Sequence, residues 1–127
     1  FASARTAVDG VIASSMAPES LDALRAGGLP LVMLDSDAPD AAATVNFAVA
    51  DGMRRIAHHL LALGHRRIAH VAAAVDSWTF AVRARTLRET LAAAGAPAPR
   101  TERAPLTAAG GLEAATRILT AARAAPG

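Results

Sequence analysis

Short, uninterrupted apolar runs alternate along this chain with segments whose apolar residues recur every three or four positions. The runs AVDGVIASS (7–15) and LPLVMLD (29–35) lack polar alternation and read as buried strands of the parallel type. Between them, APESLDALRAGGLP (17–30) opens on Pro18 and Glu19 and stops at Gly27-Gly28, the asymmetry of a short helix. Residues 36–42 read as loop, and ATVNF (43–47) as a short strand. From there Val49, Met53, Ile56, Leu60 and Leu63 follow helical spacing and predict an amphipathic helix running to Gly64. RRIAHVAAA (66–74) is a third apolar strand. A helix from about Ser77 to Ala94 then carries Phe80, Ala84, Leu87, Leu91 and Ala94 on one face. PAPRTERAP (97–105) is a polar connector with room for a brief strand. A last helix over 109–123 presents Leu112, Ala115, Ile118, Leu119 and Ala122.

Strands alternating with helices in this order predict an α/β fold, an open parallel sheet flanked by helices with right-handed crossovers. The alternation calls for another strand after the last helix, so the chain reads as a cut-out of a larger core.

Composition changes this picture little. The 127 residues fit one ordinary domain or a piece of a larger one, and at 53% hydrophobic they suffice for a core, though alanine supplies much of that fraction. There is no cysteine, which excludes disulfides and thiolate chemistry. No apolar run approaches the length of a membrane span and no signal-peptide pattern stands at Phe1, so the expectation is a cytoplasmic protein with no membrane contact. All thirteen basic residues are arginine, and the formal charge is only +2. Without a dense basic stripe, direct nucleic-acid binding by this segment is not expected.

The stretch HHLLALGHRRIAHV (58–71) invites a metal reading. A helical zinc pair needs histidines at i and i+4, whereas His58 and His59 are adjacent and point about 100° apart. His65 follows Gly64, His70 lies on a strand, and no thiolate can help. The stretch instead reads as helix, left-handed glycine, basic turn and strand, with His65, Arg66 and Arg67 at the negative end of the helix dipole. No metal and no cofactor are expected.

That same seam resembles the helix-to-strand segment of the LacI/GalR family of bacterial transcription regulators, whose recurring pattern is H-L-x-x-L-G-H-x-x-I-A. VDGVIASS, LPLVMLD, FAVADGMR and TAAGGLEAATRIL resemble other segments of that family, in the right order over nearly the whole chain. The resemblance implies a periplasmic-binding-protein-like type I effector core with two subdomains around a cleft. On that template residues 1–72 belong to the N-terminal effector-binding subdomain, 73–76 form a hinge crossing, and 77–127 belong to the C-terminal subdomain. It further implies a small-molecule effector, a saccharide above all, homodimerisation, and operator binding through a helix-turn-helix domain absent from this chain.

Open parallel sheets bind ligands beyond the carboxyl ends of their strands, which are here Ser14-Ser15, Asp35 and residues 74–78. Arg83 lies about two turns into a helix beside its apolar face and could fork onto hydroxyls or a carboxylate; the alternative is a solvated arginine, or one paired with Glu89 or Asp76. The resemblance places a ligand-gripping arginine at Arg83, a cleft hydroxyl at Thr79 and a cleft carboxylate at Asp51. For Asp51 the alternative is helix capping. Trp78 could stack on a sugar or simply pack. The chain departs from the family at Ala73-Ala74 (a frequent Gly-Pro), at Thr86 (a glycine) and at Leu106 (a tryptophan in some sugar binders).

A sugar-binding protein of a transport system shares this fold and is the second reading. An enzyme on a doubly wound sheet is the third, but the chain has no G-x-G-x-x-G after a strand, no Walker loop and no G-x-S-x-G elbow.

Overall fold

The computed structural model describes residues 8–14, 18–37 and 43–125. The expected strand start at Ala7, Ser15 and the loop over 38–42 lie outside the described residues. The chain divides into two compact units, Phe1–Phe47 and Ala48–Gly127.

In the first unit, β1 (Val11–Ser14), α1 (Pro18–Ala26), β2 (Leu31–Leu34) and β3 (Ala43–Val45) follow in order. The strands form a parallel sheet in the order β1-β2-β3. The register pairs Val11 with Leu31 and Ala13 with Met33, which puts these four residues on one face. Leu24 of α1 closes over Ala13, Leu31 and Met33 to make the core of this unit, and Met33 is fully buried. The apolar runs suggested strands buried on both faces. On the opposite face, however, Ile12 and Val45 stay exposed.

The second unit holds α2 (Val49–Ala62), β4 (Ala69–Ala73), α3 (Trp78–Ala93), β5 (Arg100–Ala104) and α4 (Ala108–Ala124). Strands β4 and β5 pair in parallel, Ala69 opposite Arg100 through Ala73 opposite Ala104. The polar segment RTERA is therefore a full strand. Its outward Arg100, Thr101 and Arg103 hide the apolar signature of a strand, while Ala104 is buried at its end. Glu102 ties β5 to α4, accepting from Arg117 Nε at 3.1 Å and from Arg100 Nη2 at 3.2 Å. These hydrogen bonds, Arg117 first, hold its carboxyl below the usual range.

The core of this unit joins α2 to α3: Ala57, Leu87, Leu91 and Ala96 are buried together, with Met53, Leu61 and Ile68 against them. This packing corrects two expectations. The boundary falls between Phe47 and Ala48 and not at 73–76, because α2 buries its apolar face on α3 and so travels with the later elements. The buried arc of α2 is also rotated from the expected one: Ala57 is inaccessible while Ile56 and Leu63 are exposed. Likewise α4 buries Gly110 and Ala114 and leaves Leu112 and Leu119 exposed. On α3, Leu87 and Leu91 are buried as expected, joined by Thr79, Thr86 and Thr90. A buried threonine is tolerated in a helix when its hydroxyl bonds the backbone one turn back; Thr90 Oγ1 donates to Thr86 O at 2.7 Å.

The seam read from the sequence is built as expected. Gly64 takes φ +88°, a conformation that side chains disfavour, and ends α2. Arg66 then donates to Ala94 O at 3.3 Å, bringing its cation to the C-terminus of α3. Among the described residues no helix is long and apolar enough to cross a membrane, and no group of three His, Asp or Glu could hold a metal ion.

Candidate functional site

In the first unit, the carboxyl ends of β2 and β3 carry a tightly specified polar turn. Asp35 follows β2 with φ +52°, a left-handed conformation that costs a non-glycine residue roughly 1–2 kcal/mol and that Asp tolerates better than most. Its N–H donates to Val45 O at 3.1 Å, continuing the sheet, and its Oδ1 accepts from Phe47 N at 3.2 Å. Beside it, the Asn46 amide accepts from Ser36 N at 3.0 Å and donates to Ser36 O at 2.9 Å, mimicking one more rung of the ladder. These bonds fix the half-buried Asp35 carboxylate and the backbone of Phe47, a residue 79% exposed. An anchored carboxylate next to an open aromatic residue can accept hydroxyl protons and offer an apolar face.

The sequence pattern singled out Asp35 but passed over Phe47, which looked like the end of a strand. The available signal was an aromatic residue at the carboxyl end of a predicted strand, the end at which such sheets bind ligands.

In the second unit, Arg83 is half-buried on the same arc of α3 as Thr79 and Thr86. Its guanidinium carbon lies 5.4 Å from the centre of the Phe80 ring, within cation–π range. Neither expected carboxylate takes it. Asp76 instead meets Arg103 at 3.5 Å, and among the described residues no ion pair holds Arg83. Thr79 is buried, its hydroxyl 3.1 Å from that of Ser77. Trp78 opens α3 and is half-buried. Asp51 is exposed in the first turn of α2 and pairs loosely with Arg54 at 3.8 Å, the arrangement that helix-start electrostatics favours. The structure thus brings Thr79, Phe80 and Arg83 together and sets Asp51 apart from them along the chain, on another helix.

His70 on β4 is half-buried, and burial first, then the positive charge of Arg83, lower its pKa from the ordinary value of about 6.5. The folded chain then binds this proton less readily than the unfolded chain. Stability linked to neutral His70 is intact above about pH 6.5 and is lost as pH falls through that value toward the lower folded pKa. Urea unfolding between about pH 7.5 and about pH 5 should show the parent losing more stability than His70→Gln. Parallel pH profiles for the two proteins would contradict this.

Beyond the ends of β4 and β5 the second unit also has an open groove of about 310 Å³, lined by residues 71–73, residues 104–108 and Gly111. Of these, Ala73 and Leu106 stand out in the sequence, both as departures from the family pattern. The groove is walled mostly by small residues at strand ends and a helix start.

No family model matches the sequence, and no curated protein matches it. The likeness lies in the fold. The structure is similar to that of a LacI family transcriptional regulator from Mycobacterium smegmatis, with a TM-score of 0.75 and 29% identity over 89% of this chain and 42% of that one. It is similar to the transcriptional regulator CelR in complex with cellobiose, with a TM-score of 0.77 and 26% identity over 89% of this chain and 37% of that one. The lactose repressor bound to the anti-inducer ONPF gives a TM-score of 0.81 and 22% identity over 95% of this chain and 46% of that one. This chain spans about two fifths of the length of these proteins. Two of the three are transcriptional regulators and the third is a repressor.

Proposed function

We propose that this chain, a structural homologue of the LacI-family regulators with the periplasmic-binding-protein-like type I fold of their effector-binding core, is the small-molecule-sensing part of a bacterial transcription repressor. The effector is a saccharide or glycoside, and its binding changes the operator affinity of a helix-turn-helix domain carried elsewhere in the protein.

The observation that carries this reading is the turn at Asp35. A carboxylate held by the Phe47 N–H, beside a residue 79% exposed, sits past the carboxyl ends of a parallel sheet. Polyhydroxylated rings are recognised by this pairing of an acceptor for their hydroxyls with an aromatic surface for their C–H face. Arg83 is the candidate from the second unit. Among the described residues its guanidinium has no carboxylate partner to displace, which leaves it ready for a ligand oxygen. Asp51, exposed in the first turn of α2 and only loosely paired with Arg54, stays a second candidate acceptor. Similar proteins lend support, since CelR was solved with cellobiose and the lactose repressor as a dimer bound to operator and ONPF. A homodimer is proposed here too, with the exposed Leu112 and Leu119 of α4 as the apolar stripe that association would cover.

Thermal melts with a panel of monosaccharides, disaccharides and glycosides test the reading. One sugar class should raise the melting temperature saturably. Asp35→Asn keeps the shape, removes the charge, and should weaken that sugar at least about tenfold, the effect of losing one charge-assisted hydrogen bond. Phe47→Ala should weaken it comparably. An unresponsive panel, or a shift indifferent to both substitutions, would overturn the assignment.

A further inference from the structure

Aspartate is followed by glycine twice in this chain, at Asp9-Gly10 and at Asp51-Gly52. Such a pair carries a reaction of its own. The backbone nitrogen of the glycine can attack Cγ of the preceding side chain and close a five-membered ring, because glycine has no Cβ to obstruct the approach. Whether the ring closes depends on the backbone. The glycine N–H must be free of a hydrogen-bond partner, and the aspartate ψ must turn to bring that nitrogen to its own side chain.

The fold puts the two pairs in opposite situations. Both aspartates and both glycines are exposed, so access to water does not separate them. Asp51 and Gly52 lie at the start of α2, and the Gly52 N–H donates to Ala48 O at 3.0 Å. Ring closure there requires that bond to break and Asp51 to leave its helical ψ. Arg54 also holds the Asp51 carboxylate loosely, at 3.8 Å. Asp9 and Gly10 lie outside any helix or strand, at a bend that leads into β1. Among the described residues no hydrogen bond takes the Gly10 N–H, and no hydrogen bond or ion pair takes the Asp9 carboxylate. The first fixed amide is the next one along, Val11 N–H, which donates to Pro30 O at 2.9 Å.

We infer that Asp9-Gly10 is a self-modification site, where the folded chain forms a succinimide and then isoaspartate, and that its helix protects Asp51-Gly52. In the first step the bond from Gly10 N to Asp9 Cγ forms and the Cγ–OH bond of the protonated carboxyl breaks. The hydroxyl leaves with the amide proton as water. In the second step water adds to one of the two ring carbonyls. Opening at Cγ restores aspartate. Opening at the main-chain carbonyl leaves the chain running through Cβ and Cγ, with the former main-chain carbonyl as a free carboxylate. Water is the only co-reactant. The product has one extra main-chain atom just ahead of the Val11–Pro30 bond. Space is short there, since a Cβ on Gly10 would stand 3.4 Å from Pro30 O. The lesion therefore loads the entry to β1, where Val11 sets the register with Leu31.

Electron-transfer fragmentation of tryptic peptides reads the modification residue by residue, because only isoaspartate breaks at a Cα–Cβ bond that has become main chain. Arg25 lies between the two pairs, so trypsin separates them. The full chain, folded in one sample and held unfolded in urea in another, is incubated at neutral pH until the unfolded sample has converted at both pairs. The folded chain should then show isoaspartate at Asp9 and at least about tenfold less at Asp51, which reacts only through local opening of α2. Gly10→Ala, whose methyl makes ordinary contact with Pro30, should keep the melting temperature and lower the conversion at Asp9 several-fold. Asp9→Glu, which would have to close a six-membered ring, should abolish it. Equal conversion of the two pairs in the folded chain, an unmodified Asp9 there, or undiminished conversion in Gly10→Ala would each overturn the inference.

Discussion

Replacing Leu91 with alanine is expected to lower the unfolding free energy of the second unit by about 2–5 kcal/mol, a large share of the stability of a small domain. Leu91 is fully buried between α2 and α3, among Ala57, Leu87 and Ala96. Of its neighbours, Ala57 and Ala96 are too short to swing into a void, whereas Met53 and Leu61 can fill part of it. The cost should therefore fall near the middle of that range. Urea unfolding followed through Trp78, the one tryptophan and a residue of this unit, reads the effect directly. Thr90→Val on the same helix is the control. It removes a hydroxyl bonded only within α3 and should cost well under half as much. A loss below about 1 kcal/mol for Leu91→Ala would mean that the helices close over the site and that the cluster is not the seat of stability.

The second large effect is expected at neighbouring glycines of α4, with opposite signs. Gly110→Ala puts a methyl 2.9 Å from Cδ and O of Pro105 and 3.0 Å from Thr107 Oγ1. Pro105 is rigid and directly follows β5, so relief requires the strand-to-helix turn to shift and the Thr107 cap to loosen. Overpacking of this kind costs about 1–3 kcal/mol, more than the roughly 0.5–1 kcal/mol that alanine returns through helix propensity. Gly111→Ala meets no neighbour and should show that gain alone, about 0.5–1 kcal/mol of added stability. Denaturant midpoints at constant slope decide the matter. Two substitutions of the same sign would mean that the β5–α4 turn is not where the structure puts it.

Much of the element order is legible in the chain because it depends on short-range chemistry. Gly64 ends α2, the apolar runs become β1, β2 and β4, and helical spacing announces α2, α3 and α4. Asp35 could likewise be selected before any coordinates, since it directly follows a predicted strand. What remained hidden depended on partners. RTERA has no apolar alternation; among the described residues it pairs with β4 alone, and it is a strand only through that register. Phe47 opens the FAVADGMR segment, but its exposure and the bond of its N–H to Asp35 show only in the structure.

Periodicity states that a helix has an apolar side, but not which arc of that side meets a neighbour. The arcs of α2 and α4 were therefore set by packing, where Ala57 and Ala114 allow close approach and the larger Ile56 and Leu112 are left outside. The boundary at Phe47–Ala48 was settled in the same way, by the burial of α2 on α3. Local conformational preference is written residue by residue and can be read that way. Which surfaces share a core depends on residues far apart in the chain and has no local signature.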